Sequence, residues 1–144
     1  MQQIIFGIDF DGTIVTHKFP AIGEPVPGAL KTIRALKQNG HLLFLWTMRG
    51  YQDRFPMVLE EAKGFCRQNN IDFHGYNESP AQFSDSKKQY AQIYIDDAAL
   101  GCPLKLWHDC QVVDWEKVAR ELFAMDAITR DQWEEIVNDI WRNQ

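Results

Sequence analysis

Ile4-Ile5-Phe6-Gly7-Ile8-Asp9-Phe10-Asp11-Gly12-Thr13-Ile14 decides the fold. Its first half is a nearly continuous apolar run, the pattern of a strand buried on both faces of a parallel sheet. It then breaks into two carboxylates two residues apart, followed by a glycine and a threonine. On an extended chain, residues i and i+2 point to one side, so Asp9 and Asp11 can face a common space. Two later runs repeat the pattern. Leu42-Leu43-Phe44-Leu45-Trp46 ends in Thr47 and, two residues on, Arg49. Ile93-Tyr94-Ile95 ends in Asp96 and Asp97. Ligand sites of open parallel sheets lie at the carboxyl ends of the strands, so these residues are expected to converge from distant positions.

Between the runs the periodicity changes to helical. Residues 16–27 carry Pro20, Pro25 and Pro27 and form a polar flap that cannot be regular helix. Pro27 suits the first turn of a helix running to Asn39, with Leu30, Ile33 and Leu36 on one face and Gly40 as its stop. A second helix is expected over residues 53–69, striped by Phe55, Leu59, Ala62 and Cys66. A third strand is expected near residues 71–76, loop over 77–86, at most a helical turn at 87–90, and a short strand at 111–113. Two helices close the chain, over residues 115–125 and 129–143. The second opens on Thr129-x-x-Gln132, a capping box, and Trp133, Ile136, Val137, Ile140 and Trp141 recur along it as core contacts. The alternation predicts an α/β fold with a mostly parallel sheet and one domain over residues 1–144.

Composition agrees. The 144 residues, 45% hydrophobic and 24% charged, fit an ordinary folded domain. No apolar run approaches the roughly 18 residues of a membrane span. Met1-Gln2-Gln3 carries no basic region of a signal peptide. Three cysteines, Cys66, Cys102 and Cys110, show no C-x-x-C pair, so free thiols in a reducing cytoplasm are expected. Cys102, His108 and Cys110 have a spacing that matches no common zinc pattern. A net charge of −5 argues against a duplex-DNA binder. The oligomeric state is not legible in the sequence.

Clustered carboxylates repel unless a cation lies between them, and a hard divalent ion, most naturally Mg²⁺, answers that need. One carboxylate free to attack phosphorus would give an aspartyl-phosphate; the other would handle the proton. A threonine hydroxyl and a lysine would hold the phosphoryl oxygens. Lys87 and Lys88 lie just before the strand that ends in Asp96.

With these residues in order, the chain resembles the haloacid dehalogenase superfamily of phosphohydrolases. Asp9-Phe10-Asp11-Gly12-Thr13-Ile14 matches that family's first motif, Leu42–Trp46 with Thr47 its second, Lys88 its third, and Tyr94-Ile95-Asp96-Asp97 its fourth. The resemblance spans residues 4–97. It implies a three-layer, Rossmann-like fold and a Mg²⁺-dependent phosphomonoesterase. It also implies that Asp9 is nucleophile and metal ligand, and that Asp11 is the general acid/base with its backbone carbonyl on the metal. Thr47 and Lys88 would bind the phosphoryl group, with Lys88 also steadying Asp9. Asp96 would be a metal ligand, Asp97 a partner standing behind the ligands or reaching the metal through water, and Arg49 a contact to substrate phosphate. Lys88 rather than Lys87 is preferred from its spacing to Asp96 in compact members.

Many members carry a cap domain. Here only 35 residues separate Asp11 from Thr47 and 40 separate Thr47 from Lys88. Those lengths are spent on a flap, two helices and a strand, whereas an independent core needs about 50 residues or more. A capless member with an open site is expected, its mouth rimmed by Phe19, Tyr51 and Phe83. Substrates would then be phosphorylated small molecules or macromolecular ends. Two other readings remain. A phosphoacceptor receiver domain has similar parts, but its lysine follows the phosphorylated aspartate late in the chain, and here it precedes Asp96-Asp97. A relative that binds phosphate-bearing ligands without useful turnover would keep the same motifs.

Overall fold

In the computed structural model, residues 1–50, 53–79 and 82–144 are described. The apolar run at the start of the chain forms β1 (Ile5–Ile8), all four residues buried. After the flap come α1 (Ala29–Gln38), β2 (Leu42–Leu45), α2 (Val58–Gln68) and β3 (Gly75–Tyr76). Then follow β4 (Ile93–Ile95), β5 (Leu104–Trp107), β6 (Cys110–Val113), α3 (Trp115–Ala124) and α4 (Arg130–Arg142). The main sheet has the order β3-β2-β1-β4 and every pairing in it is parallel. The α/β architecture with a parallel sheet is therefore as the sequence predicts, and among the described residues no cap unit is added to it.

Register aligns the functional strand ends. Ile8 of β1 lies level with Leu45 of β2 on one side and Ile95 of β4 on the other. The next residue, Asp9, donates its backbone N–H to the Ile95 carbonyl at 3.0 Å. Asp9 and Asp96 thus emerge side by side from neighbouring strands, with Thr47 just beyond the end of the other neighbour. Phe6, Ile8, Leu43 and Leu45 from the sheet and Ile33 and Leu36 from α1 are fully buried beneath this edge. Each such side chain contributes roughly 1.5–3 kcal/mol of burial. Helices α1, α3 and α4 pack on one another, while α2 brings Phe65 edge-on to Phe10 at 5.8 Å.

Several boundaries move, for identifiable reasons. Helix α1 begins at Ala29 because Gly28 takes a left-handed φ of 86° at its N-cap. A Cβ at Gly28 would meet Ile140 at 2.6 Å. Helix α2 begins at Val58 rather than 53, because Pro56 disfavours helical geometry in the residue before it. Phe55 therefore leaves the helical stripe and packs edge-on against Phe19 at 5.5 Å. Residues 71–76 contain only the two-residue β3, and residues 87–90 bend without a helical turn.

Strand β5 is an addition. It pairs antiparallel with β6 through a two-residue turn in which His108 and Asp109 both have positive φ. Such turns are usually announced by Asn-Gly or Asp-Gly, and His-Asp carries no such signal. The capping box at Thr129 and Gln132 is fully formed. All three cysteines are free. Among the described residues, no helix is long and apolar enough to cross a membrane.

Candidate metal centre

The tight turn after β1 builds the site. Gly12 adopts φ 81°, a left-handed conformation that costs glycine little, and a Cβ there would collide with His17 and Asp97. The turn is held from below. Val113 N–H donates to the Gly12 carbonyl at 3.0 Å, and the buried Trp115 indole donates to the Thr13 carbonyl at 2.8 Å. Thr13 itself is fully buried. Its hydroxyl donates to Asp9 Oδ2 at 2.9 Å and accepts from the Asp97 N–H at 3.2 Å. One hydroxyl thereby pins the first acidic motif to the last.

Asp9, Asp96 and Asp97 each offer a carboxylate oxygen, and these oxygens lie within 4.8 Å of one another. Among the described residues this is the one group of three or more such side chains able to hold a metal ion. The Asp97 carboxylate stands within the trio, and His17 Nε2 lies 2.8 Å from its Oδ2. Burial, a hydrogen bond shared with Asp97 and the charge of Asp96 push the Asp9 carboxyl up to about 8. Burial also raises Asp96, with the Asp97 charge adding to it. Burial works to raise Asp97 as well, but hydrogen bonds from His17 and Asp9 leave it below the usual carboxylate range. In the metal-free protein the trio therefore retains a proton on Asp9, the state expected of carboxylates gathered without a cation. An all-oxygen, multiply anionic donor set fits a hard divalent cation.

A stability profile follows from Asp9. A carboxyl whose folded pKa is raised binds a proton that the unfolded chain has released. Stability of the metal-free protein should therefore fall as pH rises from about 4, the ordinary carboxylate value, to about 8. Urea melts across that window in chelator should show the decline, and Asp9→Asn should flatten it.

Asp11 points elsewhere. Its two oxygens accept from Arg49 Nε at 2.8 Å and Nη2 at 2.9 Å. The Arg49 side chain is completely buried and that of Asp11 is 15% exposed. Asp11 therefore contributes no carboxylate to the trio. Nη2 of Arg49 also donates to the Ala21 carbonyl at 2.7 Å, and Nη1 donates to those of Pro20 and Val58 at 3.2 and 3.3 Å. Phe10 and Phe19 rings lie 5.1 and 5.3 Å from the guanidinium carbon.

The loop after β2 is shaped by Asn77, a residue with no sequence signal beyond its place after β3. Asn77 Oδ1 accepts from Thr47 N–H at 2.8 Å, and its amide donates to the Arg49 carbonyl at 2.9 Å. Thr47 is half-buried, and its hydroxyl accepts from Arg49 N–H at 3.1 Å. Lys88 is exposed, its ammonium 5.2 Å from the centre of the Tyr94 ring. Among the described residues it forms no ion pair with Asp9. Lys87 is exposed too. Of the expected rim residues, Phe19 packs on Arg49 and Phe55, and Phe83 lies 5.8 Å from Tyr90. Tyr51 falls outside the described residues.

Fold and site together define an open parallel α/β domain with a carboxylate trio at its strand ends. The chain is similar to a solved structure of a conserved protein from Bacteroides thetaiotaomicron, with 29% identity and a TM-score of 0.68. The likeness covers 91% of this chain and 97% of that one. No family model matches the chain, and no curated protein matches it.

Proposed function

We propose that this protein is a Mg²⁺-dependent phosphomonoester hydrolase of the haloacid dehalogenase type. The observation that carries the reading is the trio of Asp9, Asp96 and Asp97 at adjacent parallel strand ends, with a further aspartate two residues beyond the first. Asp9, Asp96 and Asp97 would hold the cation, with the backbone carbonyl of Asp11 available beside them. Bound there, Mg²⁺ would offset the charge of the trio and of the phosphoryl oxygens.

The chain's own residues then divide the work. Asp9, as carboxylate, attacks phosphorus in line, and the bond from phosphorus to the leaving oxygen breaks. Asp11 gives that oxygen its proton. In the second half, Asp11 takes a proton from water, the hydroxide attacks phosphorus, and Asp9 is released with inorganic phosphate. The Thr47 hydroxyl and the Lys88 ammonium would hold the phosphoryl oxygens, Lys88 by swinging off the Tyr94 ring. With no cap over the strand ends, small phosphorylated metabolites and phosphorylated macromolecular ends are both admitted.

The test is a phosphatase screen in Mg²⁺ over nucleotides, sugar phosphates, phosphopeptides and nucleic-acid ends. Turnover that chelator abolishes is the expected result. That Lys88 forms no ion pair with Asp9 favours a second reading, phosphate binding without useful turnover, and steady hydrolysis of any phosphoester eliminates it. Metal binding has its own readout. Millimolar Mg²⁺ should raise the melting temperature by mass action, and Asp96→Asn should shrink the shift. A melting curve indifferent to Mg²⁺ would count against the site.

A further inference from the structure

We propose that Arg49 is a positioning residue for Asp11, tying the orientation of that carboxylate to the seating of the flap over residues 16–27. The proposal rests on the hydrolase reading for its chemistry, though its structural half stands apart from it.

Arginine has five N–H donors in a fixed fork. All five are used: two on Asp11, one each on the carbonyls of Pro20, Ala21 and Val58. A guanidinium with no exposed surface and no unused donor has nothing left to offer a substrate phosphate. What it does instead is fix a plane. The bidentate fork engages one lone pair on each Asp11 oxygen and leaves the other lone pair of each for a proton or a water. The partly exposed edge of Asp11 is then the working edge.

The other three bonds go to backbone carbonyls of two different segments. Pro20 and Ala21 belong to the flap, and Val58 begins α2. The flap is closed at its base by Thr16 N–H to Glu24 O at 2.9 Å and Val26 N–H to Ile14 O at 2.8 Å. Phe19, within the flap, covers the guanidinium with its ring centre 5.3 Å from the central carbon and packs edge-on against Phe55. Lifting the flap would take two acceptors and an aromatic cover from Arg49 together. The fork on Asp11 is therefore set only when the flap is down.

Lysine keeps the charge at this position but has neither the fork nor the reach to all five acceptors. Arg49→Lys, Asp11→Asn and the double variant should be compared on an alkyl phosphate and on an activated aryl phosphate. The alkyl leaving group needs its proton, so Arg49→Lys should slow its turnover by about 10²-fold with KM little changed. Aspartyl-phosphate formation from the aryl ester, followed by rapid quench, should be slowed far less. The double variant should match Asp11→Asn within about twofold, as expected when one residue acts through the other. Equal losses on both substrates, or losses that multiply in the double variant, would overturn the proposal.

Hydrogen exchange supplies the arm that needs no turnover. Arg49→Lys and Asp11→Asn should each speed exchange at the Thr16 and Val26 amides while β1 stays protected. Unchanged protection of the flap would overturn the coupling. If the wild-type protein hydrolyses nothing, the hydrolase reading fails, and the exchange result still decides whether Arg49 joins Asp11 to the flap.

Discussion

Asp9→Asn abolishes turnover and traps nothing, whereas Asp11→Asn still accepts phosphate from an activated ester and then stalls. These are the expected results if the two carboxylates divide the reaction as proposed. Removing the nucleophile removes the only group that can form the covalent intermediate. Removing the acid/base costs roughly 10²–10⁴-fold on substrates whose leaving oxygen needs a proton. A good leaving group departs without one, so the aspartyl-phosphate forms, and with no base to activate water it persists. Rapid quench with a labelled aryl phosphate reads both outcomes at once. Label on Asp9 in the Asp11→Asn protein, and none in Asp9→Asn, supports the assignment. Full turnover by Asp9→Asn would sink the covalent route and leave direct metal-assisted hydrolysis. Asn at position 9 keeps the size and the acceptor for the Thr13 hydroxyl, so a folding defect is not the expected cause of a dead variant.

Arg49→Ala should cost the fold about 3–5 kcal/mol, the usual penalty for removing one partner of a buried ion pair. The loss leaves Asp11 without its counter-charge and the carbonyls of Pro20, Ala21 and Val58 without a donor. It also opens a void between the Phe10 and Phe19 rings. Against a total stability typically of 5–15 kcal/mol, that is a large fraction. Urea denaturation should show it as a lowered midpoint. A loss under about 1 kcal/mol would mean that water replaces the guanidinium and that the buried network is worth little, as for exposed pairs.

The main sheet and its acidic edge were legible because both depend on local pattern. Apolar runs such as Ile4–Phe10 and Leu42–Trp46 mark buried parallel strands without help from distant residues, and parallel pairing puts their ends together. Asp9 and Asp96 follow from that alone. What escaped depends on contacts across the chain or on single residues that override a pattern. Pro56 cut short a helix that hydrophobic spacing alone would extend. Gly28 delayed another. The pairing of Asp11 with Arg49 joins residues 38 apart in sequence through a flap whose path no periodicity describes. Asn77 and Thr13 each tie two segments together through a pair of side-chain hydrogen bonds. The placement of Lys88 follows from a loop without regular structure, where the motif order carries no geometry.

The bond from the Trp115 indole to the Thr13 carbonyl closes a span of 102 residues. Chain closure over such distances is entropically slow and comes late in folding. The motif of residues 9–14 is synthesised well before the support beneath it, β6 and α3. Before β4 follows, Asp9 lacks its neighbours Asp96 and Asp97, and before β6 and α3 follow it lacks the support of its turn. On the proposed reading, a growing chain should gain its cation site and a phosphorylatable Asp9 only after these later segments have emerged. The carboxylates come together where β4 pairs with β1, and Trp115 secures the turn that carries the first of them.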